Sequence, residues 1–436
     1  VKHGDNFTFS LLAVQHSTHN FQPTPSNGRG TNVMSGTVTT SGTTGTISVS
    51  IAAGANFDLA SKIAFAIANG AQGGQLTPET SLNGPAPTLA AGVVGEWLQQ
   101  TNGVTLLPKG YQAIVNTAAT SFIIGSGEPS ESVLSGTGNF KFFAPAGSGT
   151  VVAGGGNNTV TILPTDTGDW LISPGPGNNT ILDLGRGNAT VQTGPGRNTV
   201  DLAAGKNQVQ LGGNDTLVAA TGSATIDGTL AQSSLIVGGT ANLLFLGGAG
   251  PVTLLGGSGS DTFLGGTGNA SVQGGLAGKN LLLAGTGQAS LFGGGNGDQL
   301  YAEGANSQLL AAGAGNETLS AAFAAGNVTL QGGSGKDSMV GGLGSDTFVA
   351  GTGSATMEAG VANDTFLFIR GHAGGADVIA DFTSTDKVLL QGYGPNEVNK
   401  AIAGQHNVNG SATITLSDNT TITFRDVPTL KSSDFS

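Results

Sequence analysis

The 436-residue chain has no cysteine, which removes disulfides, thiolate metal sites and thiol catalysis together. Charge is also scarce, with Asp, Glu, Lys and Arg making up 10% of residues against about a quarter in an ordinary domain. What charge there is leans acidic: 15 Lys and Arg stand against 27 Asp and Glu, a net charge of −12, the wrong sign for a nucleic-acid partner. No window approaches the ~18 consecutive apolar residues of a membrane-spanning helix. The best N-terminal apolar stretch, Phe9 to Val14, is too short for a span or a secretory h-region. Only 15 prolines occur, and glycine recurs at irregular short spacings, which excludes a collagen triplet.

Catalytic signatures are missing as well. The five histidines, His3, His16, His19, His372 and His406, are too few and too scattered for a zinc or catalytic constellation. Between His16 and His19 lie Ser17 and Thr18 rather than a glutamate, so the metalloprotease motif is not formed. There is no Gly-x-Ser-x-Gly elbow, P-loop or strand-Gly-x-Gly-x-x-Gly-helix unit. No row of exposed aromatics is visible to grip a polysaccharide, and the chain is expected to be no enzyme.

What is present is glycine, 76 residues of it, and 38% hydrophobic residues, enough apolar material to fold rather than stay disordered. The glycines divide as 21 in residues 1–150, 51 in 151–375 and 4 in 376–436, which predicts three regions. Within the middle one an apolar residue returns every nine positions: Phe245, Leu254, Phe263 and Val272, then Leu282, Leu291, Leu300 and Leu309, then Leu319 and Val328, and finally Met339, Phe348, Met357 and Phe366. Upstream, Ile181, Val191, Val200, Val209, Leu217 and Ile226 keep the same beat with one-residue slips. A nine-residue unit of glycine turn and short strand cannot bury its single inward side chain alone, so it must stack on its neighbours. The fold class expected is mainly β: a parallel β-roll or β-solenoid over residues 146–370, about 12 coils and roughly 60 Å long at ~4.8 Å per strand. Residues 1–145 read as a small mixed domain, with Thr-rich strands at 36–52 and helical patterns at 57–68 and 89–100. Residues 371–436 read as a C-terminal β cap. The extended segment 1–30 is either a tail or a docking arm.

Three units fit Gly-Gly-x-Gly-x-Asp-x-apolar-x well: Gly256–Leu264, Gly332–Val340 and Gly341–Val349. They resemble the RTX (repeats-in-toxin) family, whose parallel β-roll binds calcium at its turns. The stretch Gly374–Phe382, with Asp386–Leu390 after it, resembles the block that closes such rolls and leads into an uncleaved type I secretion signal. The resemblance implies a secreted, extracellular calcium-binding protein and says nothing of its activity.

The metal chemistry follows from the residues themselves. Calcium takes six to eight oxygens, and a glycine-rich turn offers carbonyls together with its terminal Asp carboxylate. One turn supplies half a shell, so its partner must lie one full coil, or two repeat units, further on. Asp346 and Asp364 have that spacing, beside Gly342, Gly344 and Gly360, and make the best expected site. Asp377 and Asp381 are expected to form a second. Asp337, with Gly333 and Gly335, has Ala355 for a partner, and Asp261 faces the Lys279/Asn280 turn, so both are half-sites. Calcium is therefore expected mainly at the C-terminal end. The functional expectation is a structural protein that self-associates in a bacterial surface layer, matrix or filament, cell-surface polysaccharide being a second class of partner. The alternative is an RTX-type enzyme or adhesin acting on polysaccharide.

Overall fold

The computed structural model describes residues 36–42, 45–51, 55–79 and 85–436, so the arm expected at 1–30 lies outside the described residues. Short strands separated by glycine-rich turns wind into two long parallel ladders. One is a sheet of 16 strands running from Gly103–Leu106 to Lys387–Gln391, here sheet II. The other, sheet I, takes the alternate strands from Thr77–Glu79 and Gly95–Gln99 to Ala376–Ile379. At the spacing of paired strands the stack is about 70 Å long.

Register puts like on like. Phe263 lies opposite Phe245, and Phe366 opposite Phe348, so each sheet sends one file of apolar side chains inward. The stacked rings are 5.5 and 5.1 Å apart between centroids in these two pairs. Each fully buried Leu or Phe in such a file contributes ~1.5–3 kcal/mol. The expected phase holds from Ile181 to Leu300 and again from Met339 to Phe366, all of them buried. It slips between. Leu310, fully buried and opposite Leu291, is the inward residue in place of Leu309, and Leu330 replaces Val328, which opens the same strand. The cause is insertion. Leu319 lies opposite Leu300 and Met339 opposite Leu319, so both of these coils are longer than the regular one that runs from Phe245 to Phe263.

Three further expectations change. The helix expected at 89–100 is largely the strand Gly95–Gln99, buried along its whole length. Trp97 points into the stack, while Leu98 joins the cluster beneath a long helix, Ala55–Gln72, so apolar residues on both faces of one strand imitated a helical pattern. The boundary expected at 145 lies inside the stack, because the ladders already pair Gly95–Gln99 with Tyr111–Asn116 and that strand with Glu131–Ser135. The boundary expected at 370 is likewise crossed, by the parallel pairing of Thr365–Ile369 with Lys387–Gln391.

The mixed N-terminal elements decorate the outside of the stack. The strands expected at 36–52 are present as Gly36–Gly42 and Gly45–Ile51, which pair antiparallel as a hairpin. The helix packs Ala60, Ile63, Ala64 and Ile67 against the hairpin's Val38, Val49 and Ile51 and against Leu98, Val115, Leu134 and Val152 of sheet I. At the other end the antiparallel strands His406–Val408, Ser411–Thr415 and Thr421–Phe424 cover sheet I through Ala376–Ile379. Phe435 bridges Val388 on the last strand of sheet II.

Candidate metal sites along the turns

Each coil must satisfy the backbone N–H groups where its turns enter strands. Here a polar side chain just before a strand accepts the N–H of its counterpart one coil below. Upstream this residue is asparagine: Asn158 Oδ1 accepts from Phe140 N at 2.9 Å, and Asn179 Oδ1 from Asn158 N at 3.0 Å. Downstream on sheet II it is aspartate. Asp346 Oδ1 accepts from Val328 N at 2.7 Å, Asp364 Oδ1 from Asp346 N at 2.6 Å, and Asp386 Oδ1 from Asp364 N at 3.0 Å. The Asp346/Asp364 neighbourhood expected from their one-coil spacing is therefore formed, with Asp386 as a third member.

Their second oxygens differ. Asp346 Oδ2 accepts from Gly342 N at 2.6 Å and Asp386 Oδ2 from Thr383 N at 2.7 Å. Asp364 Oδ2 is buried with no partner. Burial, reinforced by the charges of Asp346, Asp386 and Asp381, pushes the Asp364 carboxyl up to about 6; burial also raises Asp346.

Asp377 and Asp381 are placed apart. Asp377 opens the strand Ala376–Ile379 and caps Ala355 N at 2.7 Å, whereas Asp381 follows that strand and caps Ala359 N at 2.7 Å. Four residues of extended chain span ~13 Å. Asp381 thus acts on Asp364, while Asp377, its Oδ2 buried and unpartnered, feels Asp337 across the Ala355 gap and is pushed by burial to about 7. They serve two different turns.

Sheet I carries a second acid file. In register order it reads Asp261, Asn280, Asp298, Glu317, Asp337, Ala355, Asp377. Asp261 meets Asn280 as expected, through a bond of 2.9 Å from Asp261 N to Asn280 Oδ1, and its own Oδ2 is buried without a partner. Both carboxylate oxygens of Glu317 are buried and unpartnered. Burial, then Asp337 and Asp298, raise that carboxyl to about 8. Sequence reasoning missed Glu317. The signal was there, since Gly313-Ala-Gly-Asn-Glu317-Thr-Leu319 repeats the turn with Glu in the Asp position.

The glycines named beside these acids are required by crowding more than by dihedral freedom. A Cβ on Gly335 would lie 1.5 Å from Gly315 O, on Gly342 2.3 Å from Ala321 O, and on Gly344 2.4 Å from Gly326 O. Gly333 meets Gly313 O in the same way. Of the five, Gly360 alone has a positive φ, +103°.

Buried carboxylate oxygens with no donor, next to carbonyl-rich turns, form an all-oxygen set suited to a hard cation. No three His, Cys, Asp or Glu side chains converge on one point among the described residues, so a cation held here would draw its remaining oxygens from turn carbonyls. The RTX calcium-binding nonapeptide repeat matches the chain in four copies, over residues 244–272 and 311–348. Those segments contain Asp261, Glu317, Asp337 and Asp346. No curated protein matches the chain.

Proposed function

We propose that this chain, an RTX-family β-roll protein with calcium as its ion, is secreted and serves outside the bacterial cell as a non-catalytic structural protein, self-assembling in a surface layer, matrix or filament. Calcium would be held at the C-terminal turns by the Asp364 carboxylate with the carbonyls around Gly342, Gly344 and Gly360, in the field of Asp346 and Asp381, and more weakly beside Asp337, Gly333, Gly335 and Asp377. When bound it neutralises carboxylates that are otherwise buried against one another. The observation that carries the reading is the buried, unpartnered Asp364 oxygen, which also feels the charges of Asp346, Asp386 and Asp381. A chain of this kind stays loose where calcium is low, as inside a cell, and closes its last coils where calcium is abundant.

Two surface features support assembly. Sheet II begins at Gly103–Leu106 with no strand beyond it among the described residues, and Val104 and Leu106 are exposed there. On successive turns at one edge of the stack, Phe323, Leu343 and Val361 are also exposed. Open edges and apolar patches of this kind favour association. Sedimentation and negative-stain microscopy of the full chain, with calcium and with chelator, test the proposal. Calcium-dependent ordered assemblies are expected. Monodisperse particles at high concentration in calcium would overturn it in favour of a polysaccharide-acting enzyme or adhesin.

A further inference from the structure

On the outside of the stack, between the strand Gly36–Gly42 and the helix Ala55–Gln72, runs a groove of about 700 Å³. Neither the calcium chemistry nor the stacking of coils uses it. The helix turns one face down into the core, and a neighbouring stripe spaced by three and four residues, Ser61, Phe65, Asn69 and Gln72, lines the groove. From the strand come Thr37 and Thr39, the exposed alternates of buried Val38. Phe65 is 68% exposed, an unusual place for a large ring in a chain whose other phenylalanines mostly fill the interior.

The lining excludes most ligand classes. Among the described residues it contains no charged side chain, so none of them offers an ion pair to a phosphate, a carboxylate or a cation. Its apolar part is one ring with small side chains, too little to hold an acyl chain. What remains is a flat exposed ring beside hydroxyls and primary amides, groups that both donate and accept hydrogen bonds. Sugar hydroxyls have the same dual character, and the C–H face of a pyranose suits the ring. The volume falls within the range of small-ligand sites, ~300–1,000 Å³. We propose that this groove binds a neutral oligosaccharide, with Phe65 as the stacking platform and Asn69, Gln72, Thr37 and Thr39 as hydroxyl partners. The site is independent of calcium and of assembly.

The test screens the full-length chain, in calcium and in chelator, against immobilised neutral oligosaccharides of glucose, galactose, mannose and N-acetylglucosamine and against uronate and sulfated glycans, then measures affinity for each glycan retained by titration calorimetry. Expected are binding to neutral glycans alone, equal in both buffers, a loss of at least about tenfold in Phe65→Ala, and retention in Phe65→Trp. The double variant Asn69→Ala/Gln72→Ala should weaken binding as well, and it decides the matter if Phe65→Ala melts below the parent. No neutral glycan bound, binding confined to anionic glycans, or undiminished affinity in both Phe65→Ala and the double variant would overturn the proposal. So would dispersal of assemblies by Phe65→Ala with no sugar bound, which would make the groove a contact between copies.

Discussion

The coils around residues 139–210 and those around 298–391 use one device with two chemistries. In both, a side-chain oxygen accepts the N–H of the coil below. In the upstream coils the residue is Asn, whose amide nitrogen then donates to carbonyls of its own turn, Asn158 Nδ2 to Gly155 O at 3.0 Å and Asn179 Nδ2 to Gly175 O at 2.9 Å, and of the next coil, Asn158 Nδ2 to Pro174 O at 2.8 Å. Gln308, inside the downstream span, is an amide with the bonds reversed: its Oε1 accepts from Glu303 N in its own turn, and its Nε2 donates to Gly285 O and Gly287 O of the coil below and to Glu303 O, at 2.9, 2.9 and 2.8 Å. In the downstream coils the residue is Asp or Glu, which when ionised has no proton to give. Its second oxygen either takes a glycine N–H, as in Asp346, or has nothing, as in Asp364 and Asp377; in Glu317 neither oxygen has a partner. The comparison teaches that a side-chain amide supplies internally the positive pole that a carboxylate must obtain from a cation. One chain can thus hold a coil stack that is complete in itself and another that leaves carboxylate oxygens open to a cation.

The harshest way to break this comparison is to put the downstream residue into the upstream ladder. Asn179 Nδ2 donates to Gly175 O, Gly177 O and Asn198 Oδ1. Asn179→Asp sets a buried carboxylate against three acceptors, at a cost of about 3 kcal/mol or more in chelator. Calcium should return part of that loss if the turn carbonyls then close around the ion. Thermal and urea midpoints of the variant, with and without calcium, check both statements. A variant as stable as its parent in chelator would mean that the amide protons do not carry the turn.

The reverse exchange is gentler. Hydrogen exchange in chelator should accelerate across residues 336–391, by up to about a hundredfold for a site normally held at 100 times its dissociation constant, while residues 139–210 keep their protection. Asp364→Asn should shrink that difference, because the amide provides the missing donor and removes one of the crowded charges. Equal acceleration in both regions, or an Asp364→Asn protein as calcium-sensitive as its parent, would dissolve the distinction between the two ladders.

The regular part of this architecture was legible because glycine spacing and apolar period agree over most of the repeat, and Asp346 and Asp364 were legible because they stand one regular coil apart. Legibility failed where coil length changed. The longer coils on either side of Glu317 shifted the inward phase to Leu310 and Leu330 and hid the Asp298–Glu317–Asp337 file, whose middle member also departs from the motif. It failed too where coils lack the glycine signature. Gly95–Gln99 and the strands after it stack as the later ones do, but Trp97, Leu98 and their neighbours bury both faces of the sheet, and the pattern then carries no period of two. The pairing of Asp377 with Asp381 followed sequence proximity, whereas a strand separates its ends into different turns.

The smallest expected effect concerns pH and sharpens the comparison within the acid files. Burial holds Asp261 and Asp364 at about 6, Asp377 at about 7 and Glu317 at about 8, all raised above the ordinary carboxylate range. Without calcium the folded chain therefore keeps protons that the unfolded chain has released, and stability falls as pH climbs from ~4 through these values. In chelator, the downstream coils should be better protected near pH 5.5 than near pH 8, with a melting midpoint higher by a few degrees. With calcium the trend opposes this, since protons and the ion compete for the same oxygens and affinity weakens as pH falls. The calcium and chelator curves should converge toward acid, and Glu317→Gln should flatten the chelator curve across the interval from its ordinary value of 4.5 to about 8. Residues 139–210, whose ladder is built on amides, should show no calcium trend and a weaker pH trend, carried by Asp183, which burial also raises. A chelator-treated chain whose downstream coils are better protected at pH 8 than at 5.5 would mean that these carboxylates have partners in solution other than protons and calcium.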